Sequence, residues 1–511
     1  MKISVAKNTI QGSIWGIASK SVSILLPFVI RTLIIHELGV EYAGLGSLFS
    51  SILQVLSLAD LGIGVAMVYA MYKPVAEDDI ESISALLAFY RKVYIVIGGV
   101  VGALGLLILP FLEIFIQGAI PDNINIYILF LIYLANTVLS YSFLSYYSSI
   151  LSAYQREADN SRIQLVINVL AYILQIVLLI LSKNYYIYIL VLPISVLCIN
   201  ITRYFYVRKH YPRIECRGTI SRKTKNEIKK NVSALVMFKI GNAIVNSVDT
   251  IIVSAFMGLV ITAYYNNYYY IISALTTLIV VVFSSITAGI GNKLITNSID
   301  QIQKDFFRIL YTNGGIVTVC TTCLYAMYQD FITLWVGKEC LFSFVTMALF
   351  CAYFFLHTIR RTVLMYRDAA GIWYDNRFQP IISAVLNLGI NIVLINLIGI
   401  NGVIISTLVT MLFIDFPWES ILLMKKVIKL PSYNYFIKVL TYFGITCISC
   451  CLYSLIRNYI NISNLVISLI VDGLLSLFIS SIVFVILTST TEEFFWLWGL
   501  LKNYLSKYRR N

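Results

Sequence analysis

The charged side chains inside long apolar runs of this chain include Lys20, Arg31 and Asp60 in its first part and Lys239 and Asp249 in its middle. A charge at the centre of a bilayer costs at least about 2.5 to 3.5 kcal/mol on insertion scales, so such residues face a bundle interior or a wet cavity. Lys20 and Lys239 fall at matching depths. Two ammonium groups there suit a phosphate or another anion, and the alternative is that each neutralises a carboxylate nearby, such as Asp60 for Lys20. Arg31 sits nearer the outer end of its run, where its guanidinium either clamps phosphate by two prongs or snorkels to the outer headgroups. Asp249 is ten residues from Lys239, about 15 Å along a helix, so the two do not pair directly. It either pairs with Arg31 or binds a coupling cation, a proton or sodium. Tyr133, Ser140, Tyr147 and Tyr154 recur every seven residues, nearly on one helical face, and offer hydroxyls and rings to a sugar chain. The run AYYNNYYY, residues 263–270, reads as an aromatic belt at the membrane boundary.

These residues must be positioned by membrane helices. Of 511 residues 59% are hydrophobic and only 12% charged, with mean hydropathy +0.84; a soluble domain carries about twice that charge. From Ile10 to Met71 two apolar segments each exceed the roughly 20 residues that cross a bilayer core. Apolar runs bounded by polar links give fourteen candidate helices, starting near Ile10, Gly44, Val93, Ile124, Ile163, Tyr186, Val232, Thr262, Ile309, Leu341, Phe378, Gly402, Ile437 and Leu465. The expected class is an all-α polytopic membrane protein. Lys2 and Lys7 precede an apolar run too long for a signal peptide, so the first helix is expected to be retained.

Several chemistries are set aside. The net charge of +13 comes from basic residues in links between apolar runs, which topology explains without nucleic acid. Most of the nine cysteines sit in apolar spans as small core residues, and Cys320 and Cys323 have no second pair at zinc-finger distance. No metal and no cofactor is expected. No GxxxxGK[ST] loop is present for nucleotide-driven transport. No catalytic constellation emerges, and the expectation is a protein that is not an enzyme.

With the N-terminus in the cytoplasm, only Lys183, Lys338 and Arg457 fall in outward turns, and an even helix count returns the C-terminus to the same side. The basic link from Arg208 to Asn231 carries nine Lys and Arg and reads as a topology-setting cytoplasmic linker. The parts on either side of it match at an offset of 219 residues, Lys20 with Lys239, Gly39 with Gly258, Gly118 with Gly337 and Asn168 with Asn387. Six spans per repeat relate the halves by a pseudo-twofold axis along the membrane normal. The expected organisation is an N-terminal lobe over 1–207, the linker over 208–231, a C-terminal lobe over 232–430, and two extra helices with a tail over 431–511. Asp415 and Glu419 near Lys425 and Lys426 read as an interfacial charge cluster, and Asp472 in the last span has no assigned partner.

The run PFVIRTLIIHELGVEYAGLGSLFSSILQVLSLADLGIG, residues 27–64, resembles the first two helices of Wzx-type polysaccharide flippases, in the superfamily that also holds multidrug and toxin extrusion (MATE) transporters and lipid II flippases. KIGNAIVNSVDTIIVSAFMG, residues 239–258, resembles the start of their second lobe. The resemblance implies a two-lobed transporter in the bacterial inner membrane. It would move an undecaprenyl-pyrophosphate-linked oligosaccharide from the inner to the outer leaflet by alternating access, for capsule or exopolysaccharide synthesis. It makes membrane lipids and polysaccharide-assembly proteins its partners. It also implies that Arg31, Asp60, Lys239 and Asp249 match polar positions of the family's cavity, and that the last two helices lie beside the core. The alternative is a multidrug or organic-cation antiporter, against which stand the excess of intramembrane cations and the lack of any Asp or Glu between Ile10 and Ile35. A membrane glycosyltransferase or polymerase would need longer outward loops.

Overall fold

The computed structural model describes residues 5–57, 63–118, 120–372, 374–460 and 462–508; side chains at 5–14, 229–246 and 503–508 and at a few single positions lie outside that description. Among the described residues all regular structure is helical, in agreement with the all-α expectation. Among the described residues eleven helices are long and apolar enough to cross a membrane, twelve if the bent pair Ile126–Ser142 and Ser145–Ala153 is one span. Two features separate this count from the expected fourteen. Val40–Leu56 has only 17 residues, and Ser247–Ser284 counts as one span although Gly258 breaks it in two.

The chain forms two compact units, Met1–Asn266 and Asn267–Asn511. The first holds α1 (Val5–Glu37), α2 (Val40–Leu56), α3 (Ile63–Ala76), α4 (Ile80–Ile108), α5 (Ile126–Ser142), α6 (Ser148–Ala153), α7 (Glu157–Ser182), α8 (Tyr185–His210) and most of α9 (Arg222–Thr296). Here α1 packs along α7, α7 along α8, and α4 and α8 along α5. Lipid gives no hydrophobic drive between helices, so small residues that admit close backbones decide these contacts. A methyl on Gly98 would lie 3.2 Å from the Ser142 Cβ, and one on Gly44 would overlap the Leu259 carbonyl. Asparagines start the spans: the side chains of Asn125 and Asn184 accept two backbone amides each at the N-termini of α5 and α8.

The second unit continues α9 into α10 (Ile299–Val336), α11 (Phe344–Ile359), α12 (Arg361–Ala370), α13 (Gln379–Ile398), α14 (Ile400–Thr410), α15 (Phe416–Leu423), α16 (Tyr433–Arg457), α17 (Leu465–Thr488) and α18 (Glu492–Tyr508). Its centre is α10, packed by α11, α16 and α17. Gly314 lets the Tyr442 ring approach to 2.6 Å of where a Cβ would be. Hydroxyls add bonds between these spans, Thr446 to Thr318 at 3.1 Å, Tyr311 with Thr488 at 2.9 Å and Tyr325 with Ser454 at 2.9 Å.

Asp472 now has partners. Its Oδ1 accepts Arg457 Nε at 2.5 Å, and Ser468 Oγ lies 2.9 Å from its Oδ2 and 3.0 Å from Asp330 Oδ2, so the α16–α17 hairpin is joined to α10. Asp415 and Glu419 also differ from expectation. They bind Arg360 and Arg367, not the neighbouring lysines: Arg360 grips both Glu419 oxygens at 2.7 and 3.1 Å and Asp415 at 3.0 Å, and Arg367 reaches Glu419 at 3.3 Å. Lys426 instead pairs with Asp375 at 2.7 Å. The Glu419 side chain is 1% exposed, so only a buried guanidinium fork can match it.

Candidate functional site

Arg31 is held at the point in the first unit where α1, α2 and the arm of α9 after Gly258 come together. Its Nη1 donates to Ser47 Oγ at 3.2 Å and its Nη2 to the Ala263 carbonyl at 3.1 Å. Ser47 in turn donates to the Ala43 carbonyl at 2.9 Å, which leaves its oxygen lone pairs for the guanidinium. The backbone turns that permit this are glycine turns. Gly39 ends α1 at φ 124° and ψ 163°, and Gly258 interrupts α9 at φ 83° and ψ 178°, in a region open to glycine and hostile to other residues.

Beside Arg31 runs a chain of hydroxyls. Tyr133 and Tyr185 are 3.1 Å apart through their oxygens, and Tyr185 donates to the Tyr42 carbonyl at 3.2 Å, so Tyr133 is the donor to Tyr185. Both rings are buried. Gly46 makes the room: a methyl on it would sit 2.8 Å from the Tyr185 hydroxyl and 2.9 Å from that of Tyr133. Of these side chains the sequence marks Arg31 and Tyr133 as candidates for substrate contact. The Tyr185, Tyr186 and Tyr188 cluster and the spacing of Gly44, Gly46 and Ser47 were the available signals, and both resemble ordinary membrane composition.

The matching place in the second repeat carries different groups. Arg31 and Ser47 are sixteen residues apart, and so are Thr250 and Asn266, which stand 219 residues later and bond to each other at 3.4 Å. Asp249 adds a carboxylate there, 7% exposed, that accepts the Tyr265 hydroxyl at 3.4 Å. Gly118 and Gly337, another repeat pair, share positive φ angles of 87° and 100°.

Other sequence candidates fall elsewhere. Lys20 is exposed on α1, and no ion pair among the described residues includes it. Asp60 lies outside the described residues, as does the side chain of Lys239, whose backbone is part of α9. The seven-residue stripe does not form one face. Leu144, at φ 55°, breaks the helix after Ser142, and the two arms meet at 45°. Ser140 bonds back to the Thr137 carbonyl at 2.7 Å, Tyr147 is buried beside the Tyr204 ring at 5.0 Å, and Tyr154 lies on Tyr211 at 4.4 Å. No group of three or more His, Cys, Asp or Glu among the described residues is arranged to hold a metal.

The family model "Polysaccharide biosynthesis protein" matches residues 9–287, more than half the chain. The chain belongs to this family. No curated protein matches it in sequence. In structure this polysaccharide biosynthesis protein is similar to the lipid II flippase MurJ in an inward closed conformation, at TM-score 0.68 and 16% identity, over 94% of this chain and 99% of that one. It is also similar to an inward-facing multidrug resistance MATE family transporter of the MOP superfamily, at TM-score 0.57 and 12% identity, over 80% and 97%. A third is a MOP superfamily transporter from Pyrococcus furiosus, at TM-score 0.51 and 14% identity, over 82% and 96%. The family member is thus a multi-span membrane protein with the all-helical fold of MOP superfamily transporters.

Proposed function

We propose that this protein is a transporter of the bacterial inner membrane, with both termini cytoplasmic, that flips an undecaprenyl-pyrophosphate-linked oligosaccharide repeat unit from the inner to the outer leaflet by alternating access, for capsule, exopolysaccharide or related surface polysaccharide. The observation that carries the reading is the match to a lipid II flippase along 94% of the chain, in a member of a polysaccharide biosynthesis family. The match to the multidrug transporter reaches only 80%. The longer match is what two further helices beside a twelve-helix core would give.

Elementary physics supports the assignment. A pyrophosphate and a string of sugar hydroxyls lose their hydrogen bonds in hydrocarbon, at several kcal/mol per group on alkane scales, so they need a polar route. In this reading Arg31 and Lys239, with Lys20 below, take the pyrophosphate charge. Ser140, partly exposed, meets sugar hydroxyls, and the buried Tyr133 and Tyr147 on the same broken helix support the wall behind it. Asp60 and Asp249 pair with the cations when substrate is absent or carry a coupling proton or sodium ion. The lobes at 1–207 and 232–430 alternate about this route, the 208–231 linker joins them, and residues 431–511 flank the core, where the isoprenoid stays in lipid. Polysaccharide-assembly proteins would supply and remove the cargo. The test is movement of a lipid-pyrophosphate oligosaccharide between leaflets of proteoliposomes: dependence on this protein supports the reading, and gradient-driven export of organic cations with no such movement overturns it.

A further inference from the structure

The final helix, α18, differs from the spans in what its two faces carry. Only residues 489–491 separate it from α17, so it starts at the height where that span ends. Thr491 Oγ1 accepts the Phe494 amide at 3.3 Å, and Glu492 and Glu493 fill the first turn, where a helix favours negative charge. One face is seated on the second unit. Glu493 accepts Lys438 Nζ at 2.9 Å from the first turns of α16, and Trp496 lies under the Arg308 guanidinium of α10, 5.2 Å from the ring centroid.

The opposite face is bare. Phe495 is 63% exposed and Trp498 60% exposed, three residues apart, and Lys502 is exposed one turn further on. From Lys502 onward the sequence adds Lys507, Arg509 and Arg510 and no acid. Aromatic rings followed by cations suit neither bulk water nor the hydrocarbon centre, but they match a lipid surface, with rings at the acyl boundary and cations at the phosphates.

We propose that α18 is an in-plane anchor that binds the anionic lipid surface of the leaflet where α17 ends, with Phe495 and Trp498 inserted and Lys502 on headgroup phosphates. Its seated face holds Arg308 and Lys438, so lipid binding fixes the ends of α10 and α16 relative to the membrane plane.

The test uses the full chain in nanodiscs of phosphatidylcholine alone or mixed with phosphatidylglycerol. Lipids brominated high on the acyl chain should at least halve the emission lost on Trp498→Phe substitution. Amides of α18 should exchange about tenfold or more slowly in the anionic discs than in the neutral ones, since each surface cation is attracted to anionic lipid. A combined Lys502→Gln, Lys507→Gln, Arg509→Gln and Arg510→Gln variant should lose that lipid dependence while the other helices keep their protection. Unquenched Trp498 with equal exchange in both lipids overturns the proposal, and so does protection that appears only when two copies share a disc. Should Trp498→Phe not fold, wild-type exchange in the two lipids decides alone.

Discussion

Gly46→Ala tests whether the hydroxyl chain beside Arg31 is packed as tightly as the geometry indicates. The added methyl would meet the Tyr185 hydroxyl at 2.8 Å and the Tyr133 hydroxyl at 2.9 Å, where ordinary contact begins at 3.4 Å. Each oxygen must retreat by about 0.5 Å, and neither can do so while keeping both the Tyr133–Tyr185 bond and the Tyr185 bond to Tyr42. Two buried hydrogen bonds at about 1 kcal/mol each and overpacking strain of about 1 to 3 kcal/mol oppose a helix-propensity gain of about 1 kcal/mol for alanine over glycine. The net loss is about 2 to 4 kcal/mol, read as the shift in reversible unfolding in mixed micelles. Removing the two hydroxyls by Tyr133→Phe and Tyr185→Phe should reverse the sign, so that Gly46→Ala in that background stabilises by about 1 kcal/mol. Gly99→Ala, with nothing within 4 Å of the new methyl, is the control and should stabilise in either background. An equal cost for Gly46→Ala with and without the hydroxyls would refute the reasoning.

Three further outcomes are expected. Glu419→Ala leaves Arg360 and Arg367 buried beside a missing carboxylate and should cost about 3 to 5 kcal/mol in unfolding titrations; Arg360→Lys should fail to restore full stability, because an ammonium cannot span both Glu419 oxygens. Asp472→Ala should loosen the α16–α17 hairpin from α10 and speed tryptic cleavage after Arg457, with equal cleavage in both proteins as the contrary result. Asp79 caps α4 through the Ser82 amide, and the Ser82 hydrogen bonds hold its carboxyl below the usual range. A lowered folded pKa gives stability that is present above the ordinary carboxylate value and lost as pH falls through the folded one. Wild type should therefore lose an increment of stability below about pH 4 that Asp79→Asn, which keeps a capping oxygen without the charge, does not lose.

Much of the fold was legible because lipid forces it: uninterrupted apolar runs must be helices, and the 219-residue offset reappears as matched glycine turns and as the Arg31–Ser47 and Thr250–Asn266 bonds. What was not legible depended on single backbone angles and distant partners. The stripe from Tyr133 to Tyr154 assumed one straight helix, and the left-handed Leu144 breaks it. Asp415 and Glu419 read as an interfacial cluster with Lys425 and Lys426 close by, although Arg360 and Arg367, more than fifty residues away, offer planar forks that a buried carboxylate accepts better. Tyr185 draws no reading from the sequence, because nothing there says that Gly46 opens a space for its hydroxyl.

The proposed activity is passage of an anionic pyrophosphate-linked sugar along a route lined by cations, and the most direct measurement is leaflet-to-leaflet movement of a lipid-pyrophosphate oligosaccharide in proteoliposomes. Wild type should be compared with Arg31→Ala and Lys239→Ala after each is shown to fold. Movement that requires wild type and is lost in both variants is the predicted result. A wild type that leaves every lipid-linked sugar in place, yet exports organic cations against a proton or sodium gradient, would contradict the account.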